Sequence, residues 1–229
     1  MSLILSDDAA RHHLPRGRVV PPAFFSRPSD EVAPALIGKI LWRSGVGGGR
    51  LTEVEAYLPE NDPACHAACG RTRRNAAMFG APGCLYVYLS YGIHVLLNLV
   101  CDRETVGSAV LIRSFEPLGD TARLARNRLI ARRRGGTGEK APPDCSASRL
   151  PLARGPGRVG QALGLHLGLN GLALGEVSGL YVIDDGAVPE VGCSARIGIS
   201  QGADLPLRFY VTDNDHGTRG ARAAGGRRG

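Results

Sequence analysis

Three of the six tyrosines fall within six residues, Tyr86, Tyr88 and Tyr91 in L-Y-V-Y-L-S-Y-G, and a fourth, Tyr57, closes the acidic segment E-V-E-A-Y. In a chain with 5% aromatic residues, that concentration offers flat surfaces for a flat ligand, with Glu55 as a candidate base beside them. A nucleobase is the ligand these residue types suit. Held between Tyr57, Tyr88 and His66, a base gains stacking energy on the order of 1–3 kcal/mol per face, and a cationic base gains cation–π attraction as well. An enzyme working on a base must extrude it from the duplex, and an apolar or aromatic wedge then fills the gap. Tyr91, just before Gly92, is placed to be that wedge. Asn98 is a polar side chain inside an apolar run and needs partners if buried. Arg113 ends a strand-like run and can pair with Glu53 or Glu116.

Each residue also has a plainer reading. A lone Glu is usually a surface or ion-paired residue. Tyrosine favours strands in any case, and Tyr86 is read simply as one. His66 is equally a loop or core histidine, and Asn98 a turn or network residue. The pair Cys65 and Cys69 around His66 lacks the second knuckle that structural zinc sites use, so no metal is expected.

The elements that must position these groups follow from periodicity. A short helix over roughly 30–37, with Ser29 or Asp30 as its cap, leads into a strand. The cluster Gly45 to Gly49 reads as a hairpin turn. Along the next strand, period-2 alternation puts Glu53, Glu55 and Tyr57 on one face and Thr52, Val54 and Ala56 on the other. Residues 58–83 read as a loop with one helical turn around Asn75 to Phe79, and 85–100 as two buried strands joined by a tight turn at S-Y-G. The run S-A-V-L-I-R gives a further strand. Residues 120–134 have helical spacing, with Leu124, Ala125, Leu129 and Ile130 toward the core and arginines elsewhere. Another helix starts at G-P-G-R-V-G-Q-A with Pro156 in its first turn, and its N–H groups with Arg154 and Arg158 suit a phosphate. Two strand-like runs follow, G-L-Y-V-I-D-D and A-R-I-G-I-S, before L-P-L-R-F-Y-V.

At 229 residues one domain is expected. The reading is a flexible arm at 1–20, a domain at 21–213 holding a flexible loop at 135–150, and a disordered basic tail at 214–229. The 28 Lys and Arg against 21 Asp and Glu suit a polyanionic partner. Residues 120–160 carry ten basic and three acidic side chains, a local net of +7, which marks that stretch as a docking surface or merely a solvated face. Six scattered cysteines read as free thiols in a reducing compartment. With neither a secretory signal nor a membrane span in view, the expected location is the cytoplasm, at the nucleoid when bound to DNA.

The blocks T-E-V-E-A-Y-L, D-P-A-C-H, R-N-A-A-M-F, P-G-C-L-Y-V-Y-L-S-Y-G-I-H-V-L-L-N, V-L-I-R-S-F-E-P-L, G-P-G-R-V-G-Q-A-L-G-L, R-I-G-I and P-L-R-F-Y-V resemble the alkyladenine (3-methyladenine) DNA glycosylases in order and spacing, over about residues 22–212. The resemblance implies an α+β fold, a single domain with a curved, mainly antiparallel sheet flanked by helices. It implies that Glu55 activates the attacking water, held also by Arg113 and the main-chain carbonyl of Ile197. Tyr57, His66 and Tyr88 would stack on the base, and Asn98 would exclude the 2-amino group of normal guanine. Tyr91 would be the minor-groove wedge, and Arg74, Arg154 and Arg158 would meet the DNA backbone. No metal or organic cofactor is implied, and the partner is duplex DNA with damaged purines, met by a monomer. The expected reaction is hydrolysis of alkylated purines, with hypoxanthine and ethenoadenine as weaker candidates because a neutral base must be protonated to leave. Competing readings are a non-catalytic module that binds damaged DNA and a glycosylase for bulkier natural-product adducts.

Overall fold

The computed structural model describes residues 14–134 and 152–212. Most of the expected 1–20 arm, the 135–150 loop and the 214–229 tail lie outside these residues. The strands are β1 (Arg18–Val19), β2 (Ile40–Arg43), β3 (Gly47–Tyr57), β4 (Leu85–Ser90), β5 (His94–Cys101), β6 (Ser108–Leu118), β7 (Leu180–Asp184), β8 (Val191–Ser194) and β9 (Arg208–Val211). The helices are α1 (Ser29–Leu36), α2 (Ala122–Arg134) and α3 (Pro156–Ala162). The strands form one curled antiparallel sheet in the order β1-β7-β2-β3-β6-β5-β4, with β9 bridging β3 and β8. The α+β architecture expected from the sequence is the one observed.

β3 organises the sheet. Its first half pairs with β2, Glu53 to Glu55 pair with β9, and its other edge pairs with β6 from Gly48 to Tyr57. A Cβ at Gly48 would lie 1.9 Å from the Leu41 carbonyl oxygen, and one at Gly49 2.0 Å from that of Glu116. Both glycines therefore belong to the strand, and the hairpin turn is confined to Ser44 to Val46. The glycine cluster was read as a turn because turns and close strand contacts both call for glycine.

The β3–β6 ladder slips twice in adjacent steps. Leu51 faces Phe115 and Glu53 faces Ser114, so Thr52 is extra on β3; Val54 then faces Ile112, so Arg113 is extra on β6. Each bulge switches which face the following residues present. The main core accordingly takes Leu51, then Val54 and Ala56, from β3, and Val110 and Ile112, then Phe115, from β6. Glu53, Glu55 and Arg113 are left to meet one another away from that core.

The main core lies between the sheet and the helices. α1 packs on β3 and β6, and α3 on β5 and β6. Gly160 lets α3 approach closely: a Cβ there would sit 2.0 Å from the Val95 carbonyl oxygen. A smaller cluster of Cys65, Ala67, Met78, Tyr86, Val100 and Ala109 fixes the 58–83 loop to the other face. That loop has two 3-10 turns, His66–Cys69 and Ala76–Phe79, of which the sequence indicated the second.

Four local expectations are corrected. Ser29 is the first residue of α1, not its cap, and its hydroxyl donates to the Tyr57 carbonyl at 3.0 Å. Ile130 is 40% exposed on α2 instead of facing the core, whereas Leu124 is fully buried. Arg18 and Val19 pair with β7, so the sheet begins inside the segment read as an arm. A-R-I-G-I-S is not a strand; β8 ends at Ser194, and the next residues turn inward to bond Asp62 and Glu55. Among the described residues no helix is long and apolar enough to cross a membrane, and five cysteines carry free thiols.

Candidate active site

Glu55 is a fully buried carboxylate held by three residues that line a cavity. β3 is hydrogen-bonded on both edges at this residue. The Ile197 N–H donates to Oε1 at 2.8 Å, Arg113 Nη1 lies 3.0 Å from the same oxygen, and the Tyr57 hydroxyl donates to Oε2 at 3.1 Å. Arg113 Nε donates to Glu53 Oε1 at 2.7 Å, and Arg208 Nε reaches the same oxygen at 2.7 Å. Glu53 and Glu55 are fully buried, as nearly are Arg113 and Arg208. Burial works against the charge of Arg113, but the two carboxylates outweigh it and raise its pKa, so the guanidinium remains a cation. The pairing with Glu53, one of the two partners considered from sequence, is the one formed.

Tyr57, Arg113 and Ile197 open onto a cavity of about 570 Å3. Its walls include His66, Tyr86, Tyr88 and Asn98, with Arg74 and Tyr91 toward its edge. The His66 ring packs on Tyr88 at 4.8 Å between centroids and 66°, and Tyr86 on Tyr88 at 5.2 Å and 31°. Burial, followed by the Glu55 charge, pushes the Tyr88 phenol up to about 12 and moves Tyr57 in the same direction. Burial likewise raises Tyr86, so all three phenols stay protonated. The Tyr86 hydroxyl lies 2.8 Å from His66 Nδ1, while burial and then Arg74 lower the His66 pKa and keep the ring neutral near pH 7. Tyr86, read as a plain strand residue, therefore also orients the histidine.

Asn98 is 4% exposed, and its Nδ2 donates to the Tyr86 carbonyl at 3.1 Å. Tyr91 caps the β4–β5 hairpin with φ of 49° and is 87% exposed. Leu89 and Ile93 are exposed beside it. Arg74 is exposed at the cavity wall, whereas Arg154 and Arg158 flank Pro156 and Gly157, which line it. The structure thus brings together Arg113, Ile197, Tyr57, His66, Tyr88, Asn98, Tyr91 and Arg74 at one cavity, with Glu55 bonded behind its wall to Arg113, Ile197 and Tyr57 and with Arg154 and Arg158 alongside. From Ile197 the contact to Glu55 is the N–H.

Several residues at the site were not singled out from sequence. Asn75, 3% exposed, holds the His66 loop by donating to the carbonyls of His66 at 2.8 Å and Gly70 at 2.9 Å. His94 lines the cavity next to Gly157. Asp62 and Arg196 form a buried two-pronged pair, both contacts 2.6 Å. Asn75, Asp62 and Arg196 lie in the blocks R-N-A-A-M-F, D-P-A-C-H and R-I-G-I; the partners of Asn75 are within nine residues of it, whereas Asp62 and Arg196 are 134 residues apart. Among the described residues no group of three or more His, Cys, Asp or Glu is placed to hold a metal.

A model of the methylpurine-DNA glycosylase family matches residues 23–215. The chain is 42% identical over 201 residues to a Burkholderia lata protein, covering 86% of this chain and 90% of that one. It is 47% identical over 171 residues to one from Rubrobacter xylanophilus, covering 73% and 78%. It is 43% identical over 202 residues to one from Corynebacterium glutamicum strain R, covering 88% and 87%. All three bear the name "Putative 3-methyladenine DNA glycosylase". By sequence over most of its length, the chain belongs to the methylpurine-DNA glycosylase family.

Proposed function

We propose that the protein is a DNA-repair glycosylase that flips 3-methyladenine and related alkylated purines out of duplex DNA and hydrolyses the N-glycosidic bond. The observation that carries this reading is one carboxylate, Glu55, anchored by Arg113 and the Ile197 amide beneath an aromatic cavity large enough for a purine. Family membership and the names of the relatives agree with it.

The chemistry asks little of the protein. An alkylated purine such as 3-methyladenine or 7-methylguanine already carries positive charge, so the C1′–N bond breaks with its electron pair going to the base. The sugar becomes oxocarbenium-like; water attacks C1′, and its proton passes to Glu55. One carboxylate both stabilises the cation and accepts the proton, unlike the two-carboxylate arrangement of ordinary glycosidases. Glu55 Oε1 is taken by Arg113 and Ile197, so Oε2, which accepts one bond from Tyr57 and keeps a second lone pair, is the oxygen for water.

Tyr57, His66 and Tyr88 stack on the flipped base, and Asn98 crowds the position of a guanine 2-amino group. Tyr91 fills the vacated stack, and Arg74, Arg154 and Arg158 meet phosphates on either side. Hypoxanthine and ethenoadenine follow as slower substrates, because the neutral His66 is a poor acid for them. No Schiff base is expected: Lys39, the one lysine among the described residues, is bonded to Asp184 at 2.6 Å.

The test is single-turnover base release from methylated duplex DNA by native protein and Glu55→Gln, scored as alkali-labile sites. Release by the native protein alone is expected. Equal release by both refutes the role of Glu55, and binding without release by either favours a non-catalytic module.

A further inference from the structure

Asp62 and Arg196, 134 residues apart in sequence, join behind the cavity. Both Arg196 terminal nitrogens donate to the Asp62 carboxylate at 2.6 Å, and both side chains are fully buried. Arg196 Nη1 also donates to the Ala56 carbonyl at 3.1 Å, and the guanidinium lies 4.7 Å from the centre of the Tyr57 ring. Asp62 in turn accepts from the backbone N–H of Leu58 at 3.0 Å and of Ala64 at 3.2 Å. The residue after Arg196 is Ile197, whose amide binds Glu55. Burial works to lower the Arg196 pKa, but the hydrogen bond and charge of Asp62 outweigh it, so the pair is ionic.

Arg196 covers one face of Tyr57, which leaves the other for a ligand in the cavity. A cation behind an aromatic wall draws the ring's electron density toward itself and repels a second cation across the ring. An unpartnered arginine there would oppose the charged bases that the proposed reaction uses. We propose that the Asp62–Arg196 pair is a specificity-determining positioning device: a neutral couple that fixes the Tyr57 wall without repelling a cationic purine stacked on its far side. This rests on the reading of the cavity as a base pocket. A base at van der Waals distance from the ring places its charge about 8 Å from the guanidinium. At an effective dielectric of about 20 the uncompensated repulsion is worth at most roughly thirtyfold in binding, and about tenfold after screening.

The experiment measures equilibrium binding to two duplexes, one with a single cationic 7-methylguanine and one with a single neutral ethenoadenine. Glu55→Gln serves as the non-hydrolysing parent. Added Asp62→Asn leaves a bare cation and weakens the 7-methylguanine complex about tenfold more than the ethenoadenine one. Arg196→Gln leaves a bare anion and moves the ratio the opposite way. Removing both charges returns it to within about twofold of the parent. Equal weakening of both complexes by each substitution, or a constant ratio, overturns the proposal, since a merely structural pair has no reason to distinguish the lesions. If a thermal melt shows one single variant unfolded, the sign of the other and the double variant still decide. A parent that binds lesion and intact duplexes equally overturns the pocket reading itself, and the proposal with it.

Discussion

Glu53 and Glu55 are joined through a single guanidinium: Arg113 Nε donates to Glu53 Oε1 at 2.7 Å, and Nη1 of the same side chain lies 3.0 Å from Glu55 Oε1. Glu53 also receives Arg208, so it counterbalances two buried cations. Glu53→Gln keeps the shape and removes that counterbalance, which costs about 3–5 kcal/mol when a buried pair is broken. Urea unfolding should show a loss near the lower bound, about 3 kcal/mol. A change below about 1 kcal/mol would mean that the network relaxes without Glu53.

Arg113→Lys keeps the charge but not the fork that spans both carboxylates. Single-turnover release should fall about 10²-fold, while affinity for lesion DNA stays within about threefold. A loss confined to binding would place Arg113 on the substrate instead of on Glu55.

Tyr91 is exposed at a left-handed position, so Tyr91→Asn suits the backbone and should leave the melting temperature unchanged. Without the ring, the preference for lesion over intact duplex should drop about tenfold, because the flipped state loses its filler. Competition binding with the two duplexes reads this directly, and an undiminished preference would assign Tyr91 to the turn alone.

His66 has its pKa lowered by burial and by Arg74, from an ordinary value of 6.5. The folded state therefore binds fewer protons than the unfolded one as pH drops. Its contribution to stability is complete above about pH 6.5 and is lost as pH falls through the folded pKa. An NMR titration of the His66 ring should give a midpoint below 6.5. The acid loss of stability should also be shallower in His66→Asn. A midpoint at or above 6.5 would remove the neutral ring from the stacking pocket.

What the sequence disclosed, and what it withheld, follows from range. The hairpin of β4 and β5 and the apolar centres of β3 and β6 are local patterns and were readable. The start of β3 at Gly47 and the continuation of β6 past Arg113 to Leu118 were not, because glycine and F-E-P-L-G look like turn or loop until a partner strand pairs with them. Glu55, Tyr57, Tyr88 and Arg113 stood out because aromatic and charged residues are conspicuous within apolar strands. The double slip at Thr52 and Arg113 was not readable, because a bulge depends on the partner strand and not on the residue itself. Ile130 and the A-R-I-G-I-S segment misled for the same reason: apolar spacing states which side would be buried, not whether anything packs there. Asp62 and Arg196 stood in the blocks D-P-A-C-H and R-I-G-I, yet nothing local showed that they pair, since each acquires its role only when the fold brings the other to it.

The position of Glu55 on a strand paired along both edges has a kinetic corollary. Amide protons at Val54 to Ala56 are held by neighbouring strands and by Leu207, so they can exchange with solvent only when the centre of the sheet opens. Tyr91 stands on an exposed two-strand tip where opening costs little. The protein thus divides slow and fast breathing between the group that would handle the water and the group that would enter the duplex. In the proposed reaction the hairpin would meet DNA on short timescales, while the carboxylate's setting would outlast many such encounters.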